Sequence, residues 1–459
     1  MLKILLLLFF YINCFNLCVG CNCHDKVIFC KFDIRLTNDE KHFDFSNIDA
    51  SLCTHLIYSY ASLEEILWKV NGTDIQKYLA LKEHNYDLKI ILGIGGWWDG
   101  STKYSKMAAD PKLRRTFVEN ILNILENQKI DGVDLAWDTP TLRGGIPEDK
   151  VNHATLLKEL SEALKPKGYL LIATLRANTD DLNSIFDLVN INYHVDFVNV
   201  LSSEYYTASK SVVGPNAPLG GVSDHNNVES TINILLSNGL TRNKMVLSLP
   251  SRGHTFILNN NNTTKDFVFG KTTSKRSFSG RYINQTDYIA YFEICYEIKE
   301  GSWILNWDEP SSTPYLRNNE KIIAFDNTRS IANKVKFAMD YDLAGVSIYT
   351  LSTEDYKGIC PEDTDTYRDF IFRYNSISHK QSFKEALVKF FLEGSKHDYY
   401  LISENRVNLR IPSTKFSNYP LLNTINEVIP LALEEKKVVA EMEKIEANKG
   451  QKIPNQLRS

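Results

Sequence analysis

Eight short runs of aliphatic and β-branched residues, separated by stretches of helical periodicity, constrain this chain more than any other feature of its sequence. They are Val27–Cys30, Leu56–Tyr60, Ile90–Gly93, Gly132–Trp137, Leu170–Leu175, Phe197–Leu201, Met245–Leu249 and Gly345–Tyr349. Between them lie amphipathic patterns such as His153–Leu164 and Leu113–Leu125, where Phe117, Ile121, Leu122 and Leu125 share one face. This alternation predicts βα units on a parallel sheet. Eight such units over roughly 350 residues predict a closed (β/α)8 TIM barrel. A doubly wound open sheet would carry a Gly-rich nucleotide turn after its first strand, and none follows Cys30.

The rhythm breaks once. About a hundred residues separate the seventh and eighth runs, against roughly 30 to 50 elsewhere. The excess, residues 254–327, carries Tyr, Phe and Trp at strand-like spacing and polar loops such as Asn259–Thr264. It predicts an α+β insertion between strand 7 and strand 8. The barrel with its insertion is assigned to residues 21–375, and residues 376–459 form a partly helical C-terminal extension without an assigned role. There, Phe383, Leu387, Phe390 and Phe391 make an amphipathic turn, and Leu433–Ala447 reads as a charged helix facing solvent.

Residues 1–20 have the build of a secretory signal peptide: Lys3, the apolar run Ile4–Ile12, then small Val19 and Gly20 before a polar stretch. That run is too short to span a bilayer, and no other stretch approaches the ~20 apolar residues a span needs. A secreted, extracellular protein without a membrane anchor is expected. Of the eight cysteines, Cys14 and Cys18 leave with the leader. Cys30, Cys53, Cys295 and Cys360 are spaced for disulfides in an oxidising compartment and not for zinc, while Cys21 and Cys23 either pair elsewhere or stay free. Sequons at Asn71, Asn261, Asn262 and Asn284 offer glycosylation sites, the middle two overlapping. With 43% apolar and 24% charged residues the chain is globular, and a formal net charge of −4 without a basic cluster argues against a nucleic-acid partner. A monomer without metal or cofactor is expected.

Chemistry in such a barrel belongs at the C-terminal ends of the strands. The fourth run reads Asp131-Gly132-Val133-Asp134-Leu135-Ala136-Trp137-Asp138-Thr139-Pro140. Side chains alternate along a strand, so Asp134, Ala136 and Asp138 point into the barrel together. Carboxylates there are costly, and they serve either chemistry or a salt-bridged, solvated pair. The segment resembles the DGxDxDxE signature of glycoside hydrolase family eighteen, the chitinases and chitinase-like lectins. Lys26–Cys30, Leu52–Tyr58, Gly93–Trp97 and Val195–Val200 are similar to that family's first, second, third and sixth strands, so the resemblance runs from about Lys26 to Tyr374. It implies disulfides Cys30–Cys53 and Cys295–Cys360.

The resemblance also implies what has been lost. Family members use substrate-assisted catalysis: the last acid of the signature protonates the leaving oxygen, and the substrate's own acetamide attacks the anomeric carbon. Here that acid is Asp138, one methylene shorter than glutamate, which withdraws the proton by on the order of 1 Å. The preceding signature acid, which orients the acetamide, is Ala136. Ser203, in Leu201-Ser202-Ser203-Glu204, stands where the family has an acetamide-clamping tyrosine. Pro250-Ser251-Arg252-Gly253-His254 departs from Pro-x-Tyr-Gly-Arg, and Tyr349 replaces the tryptophan that floors the cleavage subsite. Asp131, Asp134, Ala136, Asp138, Ser203, Glu204 and Arg252 are thus read as degenerate catalytic positions. The implied sugar contacts are Trp97, Trp98, Trp137, Glu204 and Tyr349, with a core or rim position as the alternative for the tryptophans. The leading expectation is a non-catalytic protein binding chitin or N-acetylglucosamine oligosaccharides. The alternatives are a weakly active chitinase with Asp138 as acid and a growth-factor-like interaction protein with a vestigial cleft.

Overall fold

The computed structural model describes residues 24–33, 43–64, 75–176, 182–221, 226–259, 268–361, 381–382, 385, 400–403, 406–409 and 418–451. Residues 1–20, expected to be a signal peptide, and Cys21, Cys23, Asn71, Asn261, Asn262, Phe383, Leu387, Phe390 and Phe391 lie outside the described residues. Seven of the runs become β1 (Val27–Asp33), β2 (His55–Ala61), β3 (Lys89–Gly95), β4 (Gly132–Ala136), β5 (Leu170–Arg176), β6 (Phe197–Leu201) and β7 (Met245–Pro250). Five further strands form the insertion: β8 (Arg252–Ile257), β9 (Tyr288–Ala290), β10 (Ile304–Asp308), β11 (Thr313–Asn318) and β12 (Lys321–Ala324). The eighth run, β13 (Gly345–Tyr349), returns to the barrel.

The barrel closes in the order β1-β13-β7-β6-β5-β4-β3-β2, all pairs parallel. It is a (β/α)8 TIM barrel. At the closing seam Val27 lies opposite Gly345, where a Cβ would stand 1.9 Å from the Val27 carbonyl oxygen, so only glycine lets the strands meet. Inward side chains stack in layers. Phe29, Ile57, Ile91, Ile172 and Val246 seal the N-terminal end with an apolar layer. The next layer is polar, made of Lys31, Asp134, Thr174, Asn199, Ser248 and Ser347, all buried. The cleft opens above it.

The insertion forms an antiparallel sheet, β10-β11-β12-β8-β9, between β7 and β13. Only Ser251 separates β7 from β8, so this sheet stands at the C-terminal rim, where the site lies. Cys295, on the helix Tyr291–Glu300, is bonded to Cys360 after β13, with Cα atoms 4.6 Å apart; Cys30 is bonded to Cys53 at 5.8 Å.

One expectation about the tail is corrected. The charged stretch after Leu433 is not a purely solvated helix, because it continues a 32-residue helix, Pro420–Gln451, whose inner face is core. Leu421, Leu422, Ile425, Val428, Ile429 and Ala432 are at most 1% exposed, and Val438 and Met442 continue the stripe. Some of the charges dock the helix: Lys336 pairs with Glu435 at 2.8 Å, and Lys436 reaches Asp342 at 2.6 Å and the carbonyls of Met339 and Asp340. Those carbonyls end the helix Thr328–Asp340, where a cation is favoured. The apolar half was missed because Pro430 interrupts the sequence where the helix runs on.

Three histidines are buried as neutral rings. Burial first of all pushes His55, His153 and His254 down to about 4, with Lys89 adding for His55 and Arg252 for His254. Their ordinary value is 6.5. The unfolded chain therefore binds protons first, so stability is full above about pH 6.5 and is lost as pH falls toward 4. Each histidine is expected to withdraw up to about 3 kcal/mol over that window. Thermal melts between pH 7 and pH 4.5 check this, and His153→Leu should flatten the decline by one histidine's share. An unchanged slope would contradict it.

Candidate functional site

The polar layer is built around a buried lysine. Lys31 and Asp134 are each fully buried, with Nζ 3.0 Å from Oδ2. An ammonium has three protons, and Lys31 points them at Asp134, at Tyr60 Oη (3.2 Å) and at Thr174 Oγ1 (3.1 Å). The Thr174 hydroxyl donates to the Asp134 carboxylate at 2.8 Å and also accepts from Asn199 Nδ2 at 3.1 Å, while Ser347 donates to Asn199 Oδ1 at 2.8 Å. Asp134 is thus a neutralised member of a closed network across the barrel.

Asp138 sits above Asp134, just beyond β4, and is 6% exposed. Its carboxyl is raised above the ordinary range, by burial first and then by Asp134 and Glu204, against the pull of Arg176 and Lys31. Oδ2 lies 3.6 Å from an Arg176 nitrogen, while Oδ1 is buried without a hydrogen-bond partner. Between the two acids Ala136 presents only a methyl group, and its carbonyl accepts from Gly96 N at 2.8 Å. Gly95 allows this approach, at φ 101° and with its would-be Cβ 2.6 Å from the Ala136 oxygen.

Arg176, at the end of β5, donates to Glu204 Oε2 at 2.7 Å, and Arg252, at the start of β8, donates to Oε1 at 2.6 Å. Burial pushes the Glu204 carboxyl up, but the two guanidiniums outweigh it and hold it well below the usual range. Glu204 has φ 63°, and its N–H donates to Asn216 Oδ1 at 3.1 Å; Asn216 Nδ2 in turn donates to the Arg252 carbonyl at 3.0 Å. Barrel and insertion are therefore riveted across the cleft. Arg252 also lies over the rings of Tyr288 (4.4 Å) and Tyr349 (5.1 Å). Tyr349 is half-buried, as is Ser203, just beyond β6. Trp97, 40% exposed, and Trp98, 72% exposed, form the rim. Two guanidiniums lie over the Trp97 ring, Arg143 at 3.8 Å and Arg176 at 4.7 Å, and Arg143 also donates to the Trp97 carbonyl.

Two expected site residues are not in the cleft. Trp137 is 1% exposed, packs edge-on against His153 and donates Nε1–H to Ser101 Oγ at 3.0 Å, so it is a core residue with no face for a sugar. Asp131 lies at the opposite end of β4, where it accepts from Lys82 at 2.6 Å and from Ile90 N at 2.7 Å. Its role is to brace the base of the barrel. Glu204 is in the cleft, but both its oxygens are committed to arginines, unlike the free ligand acceptor expected. Lys31, Arg143 and Arg176 were missed. For Lys31 and Arg176 the signal was present: each is a charge on the inward parity of its strand, in register with Phe29 and with Ile172 and Thr174.

Among the described residues, Cys295, Asp355 and Cys360 are the one acidic or sulfur cluster tight enough for a metal, and both its cysteines are consumed by the disulfide. No helix among them is long and apolar enough to cross a membrane.

Comparison with known proteins agrees with this geometry. The family model for glycosyl hydrolases family 18 matches residues 27–354. Probable chitinase 2 of Drosophila melanogaster is 30% identical over 438 residues, covering 90% of this chain and 82% of that protein. The crystal structure of Ostrinia furnacalis Group IV chitinase in complex with allosamidin is similar with TM-score 0.72 at 26% identity, covering 89% of this chain and 99% of that one. Human YKL-39, described as a pseudo-chitinase with retained chitooligosaccharide binding properties, is similar with TM-score 0.65 at 26% identity, covering 72% of this chain and 93% of its own. With a match that spans both the barrel and its insertion, this chain belongs to glycosyl hydrolase family 18.

Proposed function

We propose that this is a secreted chitinase-like protein that holds chitin or its N-acetylglucosamine oligosaccharides without cutting them. The observation that carries the reading is the state of β4. Ala136 offers a methyl where charge is needed, Asp134 is neutralised by Lys31, and Asp138 is left facing Arg176. Catalysis needs a proton placed within hydrogen-bond reach of the leaving oxygen and a partner for the charge that develops. Neither requirement is met by this set. Binding needs less: an exposed aromatic face meets the apolar face of a sugar ring without any acid, and at the rim lie Trp98, 72% exposed, and the part of Trp97 that Arg143 and Arg176 leave uncovered. The likeness to YKL-39 supports the same reading, and exposed Asn284 is open to a glycan on a secreted chain.

The test is a paired assay on one preparation. Calorimetry with chito-hexaose is expected to give micromolar to millimolar binding, and Trp97→Ala to weaken it by the ~1–3 kcal/mol of an aromatic hot spot. No binding at millimolar ligand would overturn the reading in favour of an interaction protein with a vestigial cleft. One observation favours a second reading, a weak hydrolase: burial raises the Asp138 carboxyl, which keeps its proton available. Turnover of a fluorogenic chito-oligosaccharide that disappears in Asp138→Asn would establish it.

A further inference from the structure

The floor of the cleft is closed by one of the protein's own side chains. Arg176 is 9% exposed and Asp138 6% exposed. Arg176 Nε and Asp138 Oδ1 are both sealed from solvent, and neither has a hydrogen-bond partner. An unpaired buried donor beside an unpaired buried acceptor is unfavourable, so the guanidinium is held in place by something other than Asp138. Glu204 supplies that hold at 2.7 Å and is itself fixed by Arg252 and Asn216. The Trp97 ring, 4.7 Å from the guanidinium carbon, completes the seat.

We infer that Arg176 is an intramolecular plug. In the unliganded protein its guanidinium fills the space between Trp97, Asp138 and Glu204 that a polar group of the ligand would occupy, a sugar hydroxyl or amide able to pair with Asp138 Oδ1. A chain long enough to reach the floor enters only after Arg176 swings away, while the rim at Trp98 stays open throughout. Glu204 keeps Arg252 as a partner when Arg176 leaves, so opening does not strand its charge. The apparent affinity of a site that is open only part of the time is reduced by the open fraction. The coupling to ligand rests on the saccharide reading above; the plug itself does not.

The experiment therefore has two arms. In the first, residue 138 becomes a reporter: Asp138→Cys is alkylated with iodoacetamide, alone and combined with Arg176→Ala or with Glu204→Gln, and modification at that position is followed by peptide mass spectrometry. Rates are compared at their high-pH plateau, which removes the influence of the arginine on the thiol's own ionisation. Glu204→Gln keeps the side chain's size and weakens only the hold on the guanidinium, so the arm stands even if Arg176→Ala folds poorly. A rate about tenfold or more higher in either combination is expected if the floor is open in a tenth of molecules or fewer, and equal rates in both overturn the plug. In the second arm, chito-hexaose should bind Arg176→Ala about tenfold tighter than the wild type. Weaker binding to Arg176→Ala would make the arginine a ligand contact and overturn its role as an obstacle. Faster alkylation with no chito-hexaose binding to either protein would leave the plug standing and remove the saccharide reading.

Discussion

Lys31→Met is expected to lower the unfolding free energy by about 3–5 kcal/mol, because it leaves a buried carboxylate without its counter-charge. Asp134 is fully enclosed, and beside Lys31 it accepts from the hydroxyl of Thr174. Removing the ammonium also strips a partner from Tyr60 and Thr174. The companion variant decides whether charge or packing is responsible. Replacing an ion pair by apolar groups of similar volume is often neutral or stabilising, so Lys31→Met with Asp134→Leu should recover most of the loss. Urea denaturation of the wild type and the three variants gives the coupling directly. A double variant as unstable as the sum of the singles would show that the two residues act independently, against the geometry.

The other large effect is in catalysis. Restoring the signature acids by Ala136→Asp with Asp138→Glu is expected to leave turnover of a fluorogenic chito-oligosaccharide at least ~10³-fold below that of an active family enzyme, since orienting and charge-stabilising groups are still missing. Arg176 is a further reason, because it pulls the carboxyl at position 138 down against the burial that raises it. A guanidinium this close favours the ionised carboxylate, whereas a general acid must carry its proton at working pH. Adding Arg176→Ala to the double variant should then raise turnover by about 10²-fold, the usual worth of one general-acid contribution. Initial rates across pH 4 to 8 check both statements. A double variant already within tenfold of an active enzyme would show that Arg176 does not matter to the acid.

Much of the barrel was legible because strands buried on both faces leave continuous apolar runs, and eight runs leave few alternatives. The insertion was legible from a single long interval. Parity along β4 also held more than was read from it. Asp131 and Trp137 share the register of Val133 and Leu135, opposite to Asp134, and both lie outside the cleft as that alternation requires. Their place in a family signature had overridden it. What parity cannot give is where a long side chain goes. Arg176 leaves β5 pointing inward, but its partner Glu204 lies beyond β6 and Arg252 belongs to the insertion. That meeting depends on barrel closure and on the φ of 63° at Glu204, neither of which is encoded locally.

The docked C-terminal helix changes what counts as one folding unit. The match to the family model ends at residue 354, and a boundary drawn there cuts through shared core. Glu354 accepts a hydrogen bond from Leu421 N at 2.8 Å, the Asp355 carbonyl accepts one from Tyr419 N at 2.8 Å, and Asn426 Nδ2 reaches the Leu52 carbonyl at 3.0 Å, one residue before the Cys30–Cys53 bridge. A polypeptide trimmed to the family limits would uncover the helix Thr328–Asp340 along an apolar stripe and strand the buried carboxyl of Glu354 without its backbone donor. Such a fragment would be sticky, and nonspecific adhesion to an insoluble polysaccharide is easily mistaken for recognition. Retention measured on a trimmed chain would therefore say little about the cleft, and the chain that keeps its helix Pro420–Gln451 is the one whose affinity carries meaning.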